Sequence, residues 1–251
     1  MRSLLLCDDC KPAEAARLCR AHNCGIEIQS FYDSGYPDRN HNAIPFHREL
    51  LRDISVRSMH GPFPELNPGA TDRMIKLVTA NRFQFAANVA RQLDISHVVL
   101  HHGYVPGTYK ANTWIKNFSA FWREFLHGQP AGLNFHIENV FEKDAGLIAA
   151  AVAAVEDDRL DICLDVGHAH CFSETSAIEW VRKLRDQIGY VHLHNNHGSK
   201  DEHLNLDEGT LKIVEICNEL EELAPRALWA LEVPSDSFES ALVWLSNHGF
   251  R

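Results

Sequence analysis

Three consecutive segments decide how this chain folds: His97-Val-Val-Leu-His101, Trp114-Ile-Lys-Asn-Phe-Ser-Ala-Phe-Trp-Arg-Glu-Phe-Leu126 and Leu133-Asn-Phe-His-Ile-Glu138. The outer two are short, mostly apolar runs with the length of a buried strand. In the middle one Trp114, Ile115, Phe118, Phe121, Trp122, Phe125 and Leu126 recur at helical spacing, which predicts a helix with a broad apolar face. Strand, helix, strand in this order is the parallel β-α-β unit.

The same alternation runs outward in both directions. Strand-length apolar runs lie at 4–7, 26–31, 55–60, 161–166, 190–193 and 228–233, and segments with helical spacing separate them. One long helix is expected to bury Met74, Leu77, Val78, Phe85, Val89 and Leu93. Pro12 opens the first helix and Gly25 follows it as its stop signal. Eight strands alternating with eight helices divide the 251 residues into units of about 31. That predicts an α/β protein, a single (β/α)8 TIM barrel spanning 1–251, with its active site at the C-terminal ends of the strands. No Gly-x-Gly-x-x-Gly follows a strand and no Gly-x-x-x-x-Gly-Lys-Ser/Thr occurs, so a nucleotide-binding open sheet loses its main support. The punctuated stretches 33–45 and 61–69 directly follow strands, where a barrel places its substrate loops.

At 45% hydrophobic and 23% charged residues, the composition excludes a disordered or collagen-like chain. Lys and Arg number 24 against 34 Asp and Glu, a formal net charge of −10, which disfavours nucleic acid and anionic membranes as partners. No apolar run approaches the ~20 residues of a membrane span. The start, Met1-Arg-Ser-Leu-Leu-Leu-Cys-Asp-Asp9, lacks the longer apolar region of a secretory signal, and a cytoplasmic protein is expected. Seven scattered cysteines then read as reduced thiols. A zinc knuckle or redox pair from Cys7-x-x-Cys10 with Cys19 and Cys24 is disfavoured, because Cys7 ends a strand-like run and Cys19 sits in a helical pattern.

There are sixteen histidines, and their placement matters more than their number. Six strands end in a residue able to bind metal or move a proton: His60, His101, Glu138, Asp165, His192 and Glu232. His168 follows Asp165 by three, and Asp201-x-His203 has the spacing that aims two side chains the same way in extended chain. Any one of these alone is an ordinary structural residue. Nine in register with the barrel period point to one pocket. His22, His41, His47, His127 and His248 fall outside that register and read as surface or helix residues.

Glu138, Asp165, Asp201 and Glu232 would place four negative charges together, which requires cations. Imidazole and carboxylate without thiolate suit zinc, manganese or cobalt. One ion takes about four to six ligands. Nine ligands would therefore hold two or three ions, whereas Glu138, Asp165, His192 and Glu232 alone would hold one.

These motifs resemble the xylose isomerase-like barrel superfamily, which joins sugar isomerases and epimerases to endonuclease IV. The likeness runs from Gly25-Ile-Glu-Ile to Leu231-Glu-Val-Pro. For the epimerase branch it implies one metal held by Glu138, Asp165, His192 and Glu232, the two glutamates exchanging a substrate proton. For the endonuclease IV branch it implies three zinc ions held by those four with His60, His101, His168, Asp201 and His203. Two positions depart from these branches. His194-Asn-Asn-His-Gly198 stands where epimerases carry an Arg, and Phe63 stands where endonuclease IV carries a Tyr. The expectation is a metal-dependent isomerase or epimerase of a small carbohydrate or sugar phosphate, with Glu138 and Glu232 as the proton-transfer pair. It would use zinc or manganese, one to three ions. An endonuclease IV-type phosphoester hydrolase is the alternative, and a non-catalytic metal- or sugar-binding barrel a third reading. Nucleic acid and membrane are not expected partners, and homo-oligomerisation is left open.

Overall fold

The computed structural model describes residues 4–33 and 43–251. Its strands are β1 (Leu4–Cys7), β2 (Gly25–Ile28), β3 (Arg57–His60), β4 (His97–His101), β5 (Asn134–Glu138), β6 (Leu160–Asp165), β7 (Ile188–Leu193) and β8 (Leu228–Leu231). They pair in parallel in chain order, and β1 pairs with β8 to close the barrel. Around it lie α1 (Pro12–His22), α2 (Ala43–Leu50), α3 (Arg73–Gln92), α4 (Ala111–His127), α5 (Gly146–Ala153), α6 (Val166–Phe172), α7 (Ala177–Leu184), α8 (Ile213–Leu223) and α9 (Phe238–Asn247). This is the TIM barrel that the alternation predicts. Among the described residues, no helix is long and apolar enough to cross a membrane.

Three local expectations are corrected. Eight helices are predicted, but the β6–β7 connection carries two, α6 and α7. The Asp165 side chain accepts the backbone N–H of His168 at 2.6 Å and so caps a short extra helix at the end of its strand. The stop after α1 is Asn23, left-handed at φ 54°. Gly25 instead begins β2, where a Cβ would lie 2.8 Å from the Val56 carbonyl oxygen. Finally, α3 turns nearly the opposite face inward from the one predicted. Thr79, Phe83, Ala86, Ala87 and Ala90 are buried, whereas Met74, Leu77 and Val78 are exposed. Small side chains let this helix approach the barrel closely, and the larger apolar residues are left outside; only Val89 and Leu93 of the predicted set are buried.

Two apolar layers hold the site in place. Leu5, Cys7, Val99, Cys163, Tyr190 and Ala230 fill the barrel interior. Between strands and helices lies the larger core, which includes Trp114, Phe118, Trp122 and Leu126 of the α4 stripe. The cysteines follow the same division, with Cys7 in the interior and Cys19 in the outer core, donating to the Gly25 carbonyl at 2.9 Å. All seven are free.

Candidate active site

Parallel strands bring their C-terminal ends to one face, and register fixes which side chains meet there. His101 pairs with Glu138 across β4 and β5, and Asp165 with His192 across β6 and β7. Glu138, almost fully buried, is the hub. Its Oε2 lies 3.0 Å from His60 Nε2 and 3.2 Å from His101 Nε2. Its Oε1 lies 3.2 Å from His168 Nδ1 and 3.4 Å from His192 Nδ1. Asp165 Oδ2 is 3.6 Å from His168 Nδ1. His168 Nε2 continues to Asp201 Oδ2 at 3.3 Å, and that oxygen accepts His203 Nε2 at 2.9 Å. Glu232 Oε2 lies 3.3 Å from His192 Nδ1. All nine residues predicted from sequence therefore gather at one end of the barrel.

Most of them line an open cavity of about 470 Å³, with Tyr32 and Phe63 on its wall. Phe63 stacks on the His101 ring at 4.0 Å. It comes from the 61–69 stretch predicted as a substrate loop. Of the other stretch, 34–42 lies outside the described residues, as does His41, and 43–45 open α2. Away from the pocket, His22, His127 and His248 are at least partly exposed on helices or helix ends. His47 is buried in α2, where its Nδ1 bonds the Ala43 carbonyl and its Nε2 the Ser30 hydroxyl.

The electrostatics follow from crowding acids and imidazoles in a buried space. Burial pushes the Glu138 carboxyl up, but the imidazoles of His101, His192 and His168 outweigh it and hold it well below the carboxylate range. Asp165 comes down to about 2, with His168 and His194 overcoming burial. The acids in turn draw protons onto the histidines. Against the penalty of burial, Asp201 and Glu232 raise His203 to about 10, while Asp165, Asp201 and Glu138 raise His168. Burial dominates at His101 and lowers it to about 4.

The donor set fits a divalent cation. His192 Nδ1, Asp201 Oδ1 and Glu232 Oε2 are buried polar atoms without a well-formed hydrogen bond, which an ion at this place would satisfy. Potential ligand atoms of His60, His101 and Glu138 lie within 4.8 Å of one another, as do those of Glu138, Asp165 and His168. A third such set is His194, Asp201 and His203.

Sequence reasoning missed four residues here. Glu27 is fully buried on β2 and bonds His192 Nε2 at 3.1 Å. Gln29 donates to Glu232 Oε1 at 2.6 Å. His194 is fully buried, contacts both Asp165 oxygens at 3.1 and 3.2 Å, and stacks on His203. The i, i+2 spacing of His192 and His194 carried the signal that singled out Asp201-x-His203. Asp8, the fourth, is fully buried just past β1; its Oδ1 accepts the backbone N–H of Cys10 and Gln29.

Two of these positions give predictions. Burial raises Asp8 to about 7. The folded protein thus holds a proton that an unfolded Asp releases near pH 4, so Asp8 lowers stability progressively from pH 4 to 7. Asp8→Asn should match the parent at pH 4 and exceed it at pH 8, by up to about 4 kcal/mol. Urea unfolding in chelator at both pH values measures this, and an equal difference at both would contradict it. At Gly167, a Cβ would lie 2.0 Å from His194 Cε1. Gly167→Ala should cost about 1–3 kcal/mol and lower the Tm by roughly 2–10 °C. An unchanged thermal midpoint would show that His194 is free to move.

Residues 11–249 match the family described as xylose isomerase-like TIM barrel. The chain belongs to this family. The resemblance read from the strand-end motifs is thereby confirmed. A relative is the uncharacterized protein MJ1311 of Methanocaldococcus jannaschii, 28% identical over 186 residues, which are 69% of this chain and 63% of that protein. The chain thus spans less than two thirds of that relative. Among solved structures, a D-tagatose 3-epimerase-like protein superposes with a TM-score of 0.79 at 21% identity, covering 98% of this chain and 96% of its own. The IOLI protein with a bound zinc atom superposes with a TM-score of 0.76 at 15% identity, covering 98% and 96%. At these identities the likeness shows a shared fold.

Proposed function

We propose that this protein is a metal-dependent isomerase or epimerase of a small, uncharged sugar, formed by one domain over 1–251. The observation that carries the reading is the placement of two glutamates beside one imidazole nitrogen. Glu138 Oε1 and Glu232 Oε2 lie 3.4 and 3.3 Å from His192 Nδ1, in a cavity of about 470 Å³, a volume suited to a small ligand. Support also comes from the family, whose structural neighbours include the epimerase-like and zinc-bound proteins.

Glu138, Asp165, His192 and Glu232 would hold a divalent ion. Such an ion supplies polarisation of adjacent carbonyl and hydroxyl oxygens, which acidifies the carbon-bound proton. The glutamates have unequal surroundings. Glu232 reaches the cavity, and Gln29 fixes its Oε1 while Oε2 has no well-formed hydrogen bond; it is suited to take the proton. Glu138, hemmed by four imidazoles, would serve the opposite face of the planar enediolate. Phe63 and Tyr32 supply an apolar wall for the sugar ring. Among the described residues the lining offers carboxylates, imidazoles, thiols, an amide and aromatic rings but no Lys or Arg, and without such a side chain to grip a phosphate an uncharged sugar is favoured over a phosphorylated one. The test is a panel of ketoses and ketose phosphates with the metal-loaded protein, followed by NMR. Turnover of a free ketose supports the proposal, and turnover confined to phosphates refutes its substrate class.

One observation favours a second reading. The nine ligand-type residues are complete, and Glu138 and Asp201 each bridge further histidines, as an endonuclease IV-type hydrolase with three ions would require. Metal analysis after chelator-free purification separates the two: about one ion per chain for the isomerase, about three for the hydrolase.

A further inference from the structure

Beneath the cavity floor, inside the barrel, lies a carboxylate that the proposed proton transfer does not use. Glu27 is fully buried, in a space that TIM barrels fill with branched apolar side chains. Three donors surround it. His192 Nε2–H donates to its Oε2 at 3.1 Å and Cys7 Sγ–H to its Oε1 at 3.5 Å, and the Tyr190 hydroxyl lies near enough to favour its ionised form. That hydroxyl shares a 2.7 Å hydrogen bond with Ser58 Oγ. An ionised acid at this depth is costly unless paired, and His192 is the basic group that touches it.

The consequence lies on the other side of the ring. With Nε2 engaged by Glu27, Nδ1 is the nitrogen that faces Glu138 and Glu232, and it has no well-formed hydrogen bond. We infer that Glu27 is a positioning residue: it keeps the proton of His192 on Nε2, so that Nδ1 is presented to a divalent ion, while Tyr190 and Ser58 hold Glu27 in place. The inference rests on the metal-dependent reading above. A carboxylate behind a ligating imidazole fixes its tautomer and raises its basicity.

The experiment is zinc affinity by chelator competition, with melting of the chelator-treated proteins alongside. Glu27→Gln keeps the shape and removes the charge. It should weaken zinc about 10–100-fold and shift the visible spectrum of the cobalt-substituted protein, while the metal-free protein, having lost one side of a buried pair, melts earlier but still unfolds cooperatively. Tyr190→Phe should weaken zinc severalfold and carries the test if Glu27→Gln does not fold. Cys7→Ser probes direct ligation, because potential ligand atoms of Cys7, Glu27, His192 and Glu232 lie within 4.8 Å of one another. If Cys7→Ser loses as much affinity as Glu27→Gln, those four form a metal site themselves and the positioning role is wrong. Affinity within twofold of the parent in both Glu27→Gln and Tyr190→Phe also overturns it. A parent protein that takes up no zinc or manganese overturns the proposed function and this inference together.

Discussion

Glu138→Ala should strip the protein of bound metal and of turnover together. The reason is the number of partners that one carboxylate serves. His60 and His101 meet one oxygen, His168 and His192 the other, and the candidate ion positions beside His60 and His101 and beside Asp165 and His168 both use this side chain. Removing an outer partner of a ligand typically costs 10–100-fold in affinity; removing the shared ligand should cost more. Three imidazoles, those of His60, His101 and His168, would also lose their nearest anion, and two of them, His60 and His168, are drawn toward the protonated form partly by Glu138. Breaking one side of a buried ionic cluster costs about 3–5 kcal/mol, so the variant should also melt earlier. Metal analysis by mass spectrometry and a melting scan check both parts. Full metal occupancy in Glu138→Ala would show that the ligand set is wrong.

Glu232→Gln tests the chemistry rather than the scaffold. The amide keeps the size and one oxygen for a metal but cannot act as a base. Positioned acids and bases contribute about 10²–10⁴-fold, and kcat should fall by at least that much while part of the metal is retained. Gln29 can still donate to the amide oxygen, so the side chain should stay in place. If Glu232 served only to hold the metal cluster, excess zinc or manganese would restore much of the rate. In the proton-transfer account, added metal restores little.

The barrel was legible in the sequence because its strands and helices have different apolar periods and short punctuation between them. The strand ends were legible for a related reason. A His or Glu closing an apolar run is conspicuous, and parallel topology guarantees that such ends converge. Glu27 and His194 were harder to find. A single ionisable residue in or just after a strand looks like a solvated end, and its burial depends on which way the barrel turns it. The double helix after β6 is hidden in the sequence because Asp165, a ligand-type residue at a strand end, also caps α6. On α3, size misled the reading: Met74, Leu77 and Val78 looked like core, but the small residues Ala86, Ala87 and Ala90 permit the close contact.

The central claim is that a carbon-bound proton of a sugar is removed and returned in this pocket. Solvent-deuterium incorporation measures that step directly. The metal-loaded protein, incubated in deuterated buffer with a panel of ketoses, should introduce deuterium at the carbon next to the carbonyl of at least one sugar, and Glu232→Gln should not. Absence of exchange in every sugar, together with cleavage of a duplex bearing an abasic site, would contradict the account and assign the pocket to phosphoester hydrolysis.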